Sequence, residues 1–149
     1  MREALEEIVL SYELNLYNSS ICLKLNVNAQ TPQHIICDKS RLQQIINNLL
    51  SNAIKFARSL IYMEVEYIRE RNLLQVIVTD DGFGFSYDKM GYIIDCITVS
   101  PEIMKRIPKH EGIGMGLQIC KSILAKLGGK IIINTGTNSL TSFKIQIPS

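Results

Sequence analysis

The 149-residue sequence predicts an α+β fold, a two-layer sandwich with helices on one face of a mixed β-sheet. Three observations lead there. Apolar residues recur at helical spacing in three separate stretches. Five short segments carry strand patterns. The elements run helix, strand, helix, two strands, loop, helix, two strands, which is not the regular alternation of a parallel doubly wound sheet.

The first helix, residues 2 to about 17, carries Leu5, Ile8, Val9, Tyr12 and Leu16 at helical spacing. Residues 21 to 27 alternate, with Ile21, Leu23, Leu25 and Val27 facing one way and Lys24 and Asn26 the other, as in a half-buried strand. Thr31-Pro32 breaks that pattern. Asp38 then reads as an N-cap opening a helix to about Phe56. Strands are expected near 61–68 and 73–79. The stretch 80–112 is punctuated by glycine and proline and has room for one short helix. A third helix spans about Gly114 to Leu127 and stops at Gly128-Gly129. Closing strands fit 130–135 and 142–147, the latter alternating Phe143, Ile145 and Ile147 against Lys144 and Gln146.

Bulk properties narrow the class. The chain is 46% hydrophobic and 20% charged, as in ordinary globular domains, and is read as one domain over residues 1–149. No apolar run reaches the roughly 18 residues of a membrane span, and the acidic start lacks the pattern of a signal peptide. A net charge of +2 is too small to suggest nucleic acid, and no direct membrane contact is expected. Reduced thiols in a cytoplasmic setting are the expectation, and a longer parent protein could still be membrane-anchored. Lys105, Arg106 and Lys109 read as a solvated loop. The four cysteines show no metal spacing, and Cys22 and Cys120 are expected as small core residues.

Three constellations carry chemistry. Along the second helix, Leu42, Ile45, Ile46, Leu49, Leu50 and Ala53 share an apolar face, while Asn48, Asn52 and Lys55 form a polar stripe at i, i+4 and i+7. Two amides and an ammonium suit a magnesium ion with phosphates, although a solvated polar face is the competing reading. Next, Asp80-Asp81-Gly82-Phe83-Gly84-Phe85 follows a strand. Its glycines permit close backbone approach to a ligand, and an aspartate there can accept a hydrogen bond from an exocyclic amine such as that of adenine. A plain Asp-Gly turn is the alternative. Last, Gly112-Ile113-Gly114-Met115-Gly116-Leu117 opens a helix, where backbone N–H groups bind phosphate; a flexible hinge is the alternative. Its spacing is GxGxG, so it is not a dinucleotide fingerprint, and the chain holds no P-loop.

Together these segments resemble the catalytic, ATP-binding domain of sensor histidine kinases, within the wider family of gyrase, heat-shock-ninety, histidine-kinase and MutL ATPases. Asp38 to Phe56 resembles the N box, Asp80-x-Gly82-x-Gly84 the G1 box, and Gly112-x-Gly114-x-Gly116-Leu117 the G2 box. The resemblance implies the Bergerat fold, ATP and Mg2+ as cofactors, and a lid over about 86–111. It places Asn52 as the magnesium ligand, Asn48 near the phosphates, Lys55 on phosphate and Phe56 beside adenine. Asp80 would accept from the adenine amine. Gly82 and Gly84 would shape the base pocket, and Gly112, Gly114, Met115, Gly116 and Leu117 would pass the phosphates. Hydrolytic branches carry a glutamate four residues before the metal-binding asparagine; here that position is Asn48, which favours phosphotransfer.

The kinase reading also implies two partners: a histidine-bearing dimerisation domain and a downstream response-regulator receiver domain. His34 and His110 are both read as structural or surface residues, so the acceptor is expected elsewhere. Two departures from the family pattern, only Tyr92 as an aromatic within 88–100 and Leu140 in place of a glycine, favour a second reading as a nucleotide-binding regulatory module without turnover. A hydrolase of the same superfamily is the third.

Overall fold

The computed structural model describes residues 1–82, 113–135 and 140–149. In chain order these form α1 (Arg2–Leu16), β1 (Cys22–Val27), α2 (Lys39–Phe56), β2 (Leu60–Ile68), a 3-10 turn (Arg69–Arg71), β3 (Leu73–Asp80), α3 (Ile113–Lys126), β4 (Lys130–Thr135) and β5 (Thr141–Pro148). The three expected helices and five expected strands are present, within a residue or two of their predicted ends; the short helix allowed for within 80–112 lies outside the described residues.

The five strands lie in the order β1-β2-β3-β5-β4. β1 and β2 run parallel, and the other pairs are antiparallel. A parallel pair needs a crossover between its strands, and α2 is that crossover. The sheet is therefore mixed, with the long site-bearing helix tied at both ends to neighbouring strands.

Strand alternation sorts the sheet into two faces. Ile61, Met63 and Val65 of β2, Leu74, Val76 and Val78 of β3, Ile131 and Ile133 of β4, and Phe143, Ile145 and Ile147 of β5 are all buried. Against them α2 sets Ile45, Ile46, Leu49 and Leu50, each fully buried. Burying one such side chain contributes roughly 1.5–3 kcal/mol, so this face holds the two layers together. α1 covers β1 with Leu5, Ile8 and Val9, and α3 packs beside β4. The opposite face is polar. Lys24 stands 5.7 Å from the Tyr62 ring centroid, and Gln146 Nε2 donates to Gln75 Oε1 at 2.6 Å.

The helix ends follow from single residues. Asp38 caps α2 by accepting from the Arg41 amide at 3.1 Å, worth about 1 kcal/mol for such a cap. α3 ends in a Schellman turn: Gly129 N–H reaches Leu124 O at 2.8 Å while Gly128 takes φ +68, which only glycine adopts without cost.

One expectation is corrected. Cys22 is exposed, whereas Cys120 is fully buried. In β1 the inward phase belongs to Leu23, so Cys22 falls on the outward side with Lys24 and Asn26.

Candidate nucleotide-binding site

Two groups of predicted residues come together, four residues apart along α2. The first is Asn48, Asn52 and Gly116. Asn52 is buried, at 8% exposure, and among the described residues its Nδ2 has no hydrogen-bond partner. An unsatisfied buried amide costs about 1–3 kcal/mol, which marks this spot as one suited to a ligand. The first turn of α3 arrives alongside. A Cβ placed on Gly116 would lie 3.5 Å from Asn48 Oδ1 and 3.7 Å from Asn52 Nδ2. One turn later, the Cys120 thiol reaches Ile45 O at 3.8 Å and also bonds the Asn48 side chain. Burial pushes that thiol up to about 11, with the Asn48 bond opposing, so Cys120 stays neutral as a packing and hydrogen-bonding group.

The second group is Phe56, Asp80 and Gly82. Asp80 ends β3 on the helix-facing side of the sheet, between Ile61 and Thr141 in register, and is 3% exposed. Its Oδ1 accepts from the Gly82 amide at 2.9 Å. Burial raises its carboxyl to about 6; the Gly82 N–H opposes this, and the neighbouring Asp81 charge adds to it. Gly82 is required for steric reasons. A Cβ there would meet the Phe56 carbonyl oxygen, and would come within 2.6 Å of Asp80 Oδ1 and 2.9 Å of the Phe56 carbonyl carbon. Half-buried Phe56 closes α2, and the Lys55 Nζ stands 5.9 Å from its ring centroid.

The sequence reading missed Thr141. It is 2% exposed, lies opposite Asp80, and has no hydrogen-bond partner for its hydroxyl among the described residues. A signal was available, because Thr141 shares the phase of Phe143, Ile145 and Ile147. A polar residue in an inward phase at a strand end, facing a buried carboxylate, points to a ligand-facing hydroxyl.

Leu117 packs against the core, and Gly114 and Met115 lie in the first turn of α3. Gly84, Gly112, His110, the Lys105–Lys109 cluster and the expected lid at 86–111 lie outside the described residues. His34 is exposed. A separate groove of about 240 Å³ between α1 and α2, lined by His34, Ile35, Cys37 and Leu42 among others, contains none of the predicted site residues.

A buried carboxylate at a strand end, amides on a crossover helix and a glycine-bearing helix start thus meet on one mixed-sheet sandwich. The family model described as histidine kinase-, DNA gyrase B- and HSP90-like ATPase matches residues 37–149, and the chain belongs to that family. Within it, the chain is the kind of domain that sensor histidine kinases carry as their ATP-binding catalytic unit. It is 27% identical to the signal transduction histidine-protein kinase BarA of Escherichia coli strain K12 over 154 residues, covering 99% of this chain and 16% of BarA. It is 32% identical to the sensor protein KdpD of Clostridium acetobutylicum over 126 residues, covering 82% of this chain and 14% of KdpD. The chain thus spans about one-sixth of the length of the curated relatives it matches. Among solved structures, full-length ShkA in complex with AMPPNP is similar with a TM-score of 0.78 at 22% identity, covering 98% of this chain and 29% of ShkA. The catalytic domain of the histidine kinase ThkA gives 0.76 at 21%, covering 99% of this chain and 90% of that one. These structures share the fold. Among the described residues no helix is long and apolar enough to cross a membrane.

Proposed function

We propose that residues 1–149 form one domain that binds Mg-ATP and passes its γ-phosphoryl group to a histidine on a separate dimerisation domain. From there the phosphoryl group would reach a response-regulator receiver, and the setting would be cytoplasmic. The observation that carries this reading is a pair of buried polar groups flanking α2: the Asn52 Nδ2, without a partner among the described residues, beside the start of α3, and the Asp80 carboxylate near the C-terminal end of α2.

Asp80 would accept from the adenine amine, with Thr141 beside it and Phe56 against the ring. Asn48 and Lys55 would meet the phosphates, together with the N–H groups that open α3. Asn52 would ligate magnesium through its amide oxygen, while its Nδ2, which has no partner among the described residues, can donate to a phosphate oxygen; magnesium sites of this kind need few protein ligands. Bound magnesium would neutralise phosphate charge. In the transfer, a histidine nitrogen attacks the γ-phosphorus, the bond to the β–γ bridging oxygen breaks, and ADP leaves. The protein's part is positioning and charge stabilisation. Asn48, standing where hydrolytic relatives have a glutamate, supplies no base for water.

The direct test mixes the domain with Mg-ATP and a histidine-bearing dimerisation domain. Acid-labile phosphate on that partner is the expected result. Tight binding without transfer would instead indicate a regulatory nucleotide module, and steady phosphate release a hydrolase.

Gly116→Ala separates binding from folding. Its methyl group meets only ordinary contacts at 3.5–3.8 Å, so the fold tolerates it. Alanine within a helix gains up to about 1 kcal/mol over glycine. The expected outcome is an unchanged or slightly raised thermal midpoint with several-fold weaker Mg-ATP binding, read by calorimetry. Unchanged affinity would show that the phosphates do not pass over this turn.

A further inference from the structure

Asp81 lies between the two residues that shape the base end of the pocket, yet its side chain turns away to a different task. Its Oδ1 accepts from the backbone amides of Arg58 at 2.9 Å, Ser59 at 3.0 Å and Leu60 at 3.0 Å. Its Oδ2 accepts from the Ser59 hydroxyl at 2.6 Å and the Ser59 amide at 3.2 Å. The Asp81 amide in turn donates to Leu60 O at 3.2 Å. These partners are Arg58 and Ser59 of the short connection that leaves α2 after Phe56, and Leu60, the first residue of β2.

We propose that Asp81 is a positioning residue for nucleotide binding, the clamp that sets the C-terminus of α2 at a fixed distance from Asp80 and Gly82. The inference rests on the reading of this site as a nucleotide pocket, and deepens it. Phe56 is one residue before the connection that Asp81 holds, and the Phe56 carbonyl already touches Gly82 so closely that no Cβ fits between them. With no slack at that point, a small swing of the α2 end would move Phe56 relative to the Asp80 carboxylate. The two would then no longer meet one adenine ring together.

The chemistry of the clamp requires a carboxylate. All its partners are donors, and an ionised carboxyl presents acceptors only. Desolvation works to raise the Asp81 carboxyl, but the Ser59 hydroxyl and the Ser59, Leu60 and Arg58 amides outweigh it and hold it well below the usual carboxylate range. Asparagine at this position can keep an oxygen toward the three amides on Oδ1, but would set an NH2 against the Ser59 N–H and weaken the remaining bonds by removing the charge. The two adjacent aspartates are thus opposites: Asp80 is buried and raised, Asp81 is bonded by its neighbours and lowered.

The test uses the full chain and two variants, Asp81→Asn and the milder Ser59→Ala, which removes only the 2.6 Å bond. Affinities for ATP, ADP and adenosine are measured well below each variant's thermal midpoint, with and without magnesium. Asp81→Asn is expected to weaken all three ligands by the same factor, roughly tenfold, because the defect lies at the shared base. Ser59→Ala should weaken them by a few-fold in the same pattern, and the magnesium dependence should match wild type. A lowered midpoint with unchanged affinities in both variants would make Asp81 a fold staple only and overturn the proposal. So would a loss confined to ATP, which would place the defect at the phosphates. If the wild-type chain itself binds no adenine ligand, the nucleotide reading fails, an outcome distinct from wild-type binding that Asp81→Asn leaves intact.

Discussion

Asp80→Asn is expected to weaken ATP binding by roughly 10- to 100-fold while leaving the fold intact, since a hydrogen bond to a charged partner is worth about 1.5–3 kcal/mol. The adenine amine is a donor, and an ionised Asp80 offers it an acceptor in a place 3% exposed to water. Asparagine can keep the bond from the Gly82 amide through its oxygen, but it can also present an NH2 to the base. The fold should not suffer, because removing a buried charge relieves a desolvation cost. Calorimetric titration and thermal denaturation of the same sample check both halves. Unchanged affinity would remove Asp80 from the site.

The raised carboxyl gives this prediction a pH dependence. The folded value is about 6 against an ordinary 3.8, so between those values the folded chain holds a proton that the unfolded chain releases. The ligand-free domain therefore gains stability from Asp80 as pH falls through that window and loses it as pH rises toward 6. Nucleotide affinity runs the other way, because protonation removes the charged acceptor. The difference between wild type and Asp80→Asn, measured from pH 7 to pH 5, isolates both trends from every other titrating group.

Gly82→Ala should damage both folding and binding. Two of the atoms its Cβ would meet are the Phe56 carbonyl carbon and oxygen, backbone that cannot rotate away, and the third is Asp80 Oδ1. Overpacking of this kind costs about 1–3 kcal/mol. In a chain of this size each kcal/mol lowers the thermal midpoint by roughly 2–4 °C. Relief can come only from shifting α2 or Asp80, so nucleotide binding should fall with stability. A variant with wild-type midpoint and affinity would mean that the close approach of Gly82 to Phe56 is not maintained in solution.

Local signals explain what was legible in the sequence. α2 was readable nearly to the residue because Asp38 is a cap and six apolar residues keep one phase. The glycines of the two loops announced close backbone approach; Gly82 shows it against the Phe56 carbonyl, whereas the neighbours of Gly116 stand at ordinary contact distance. Thr141 was missed because the strand was expected to begin at Ser142, which left the threonine in a turn instead of in phase with Phe143. Cys22 was misplaced because its small apolar character was weighed above the alternation of Ile21, Leu23 and Leu25, which already set position 22 on the outward side with Lys24. The clamp by Asp81 was invisible for a deeper reason. Its partners are mostly backbone N–H groups more than twenty residues earlier, and a backbone amide has no letter in the sequence. The strand order was equally silent, since nothing local records that β1 lies parallel to β2.

The Gln75–Gln146 bond on the polar face also has a consequence for the opposite face. A one-residue slip between β3 and β5 would turn Phe143, Ile145 and Ile147 to water, which the core forbids. A two-residue slip keeps the same side chains inward, so alternation alone does not forbid it. That slip would carry Thr141 some 7 Å from Asp80, and it would also part the two glutamines, leaving amides that are 8% exposed without each other. The amide pair works as a vernier: among alignments with the same inward phase, it favours the one that brings a hydroxyl from β5 to the carboxylate at the end of β3.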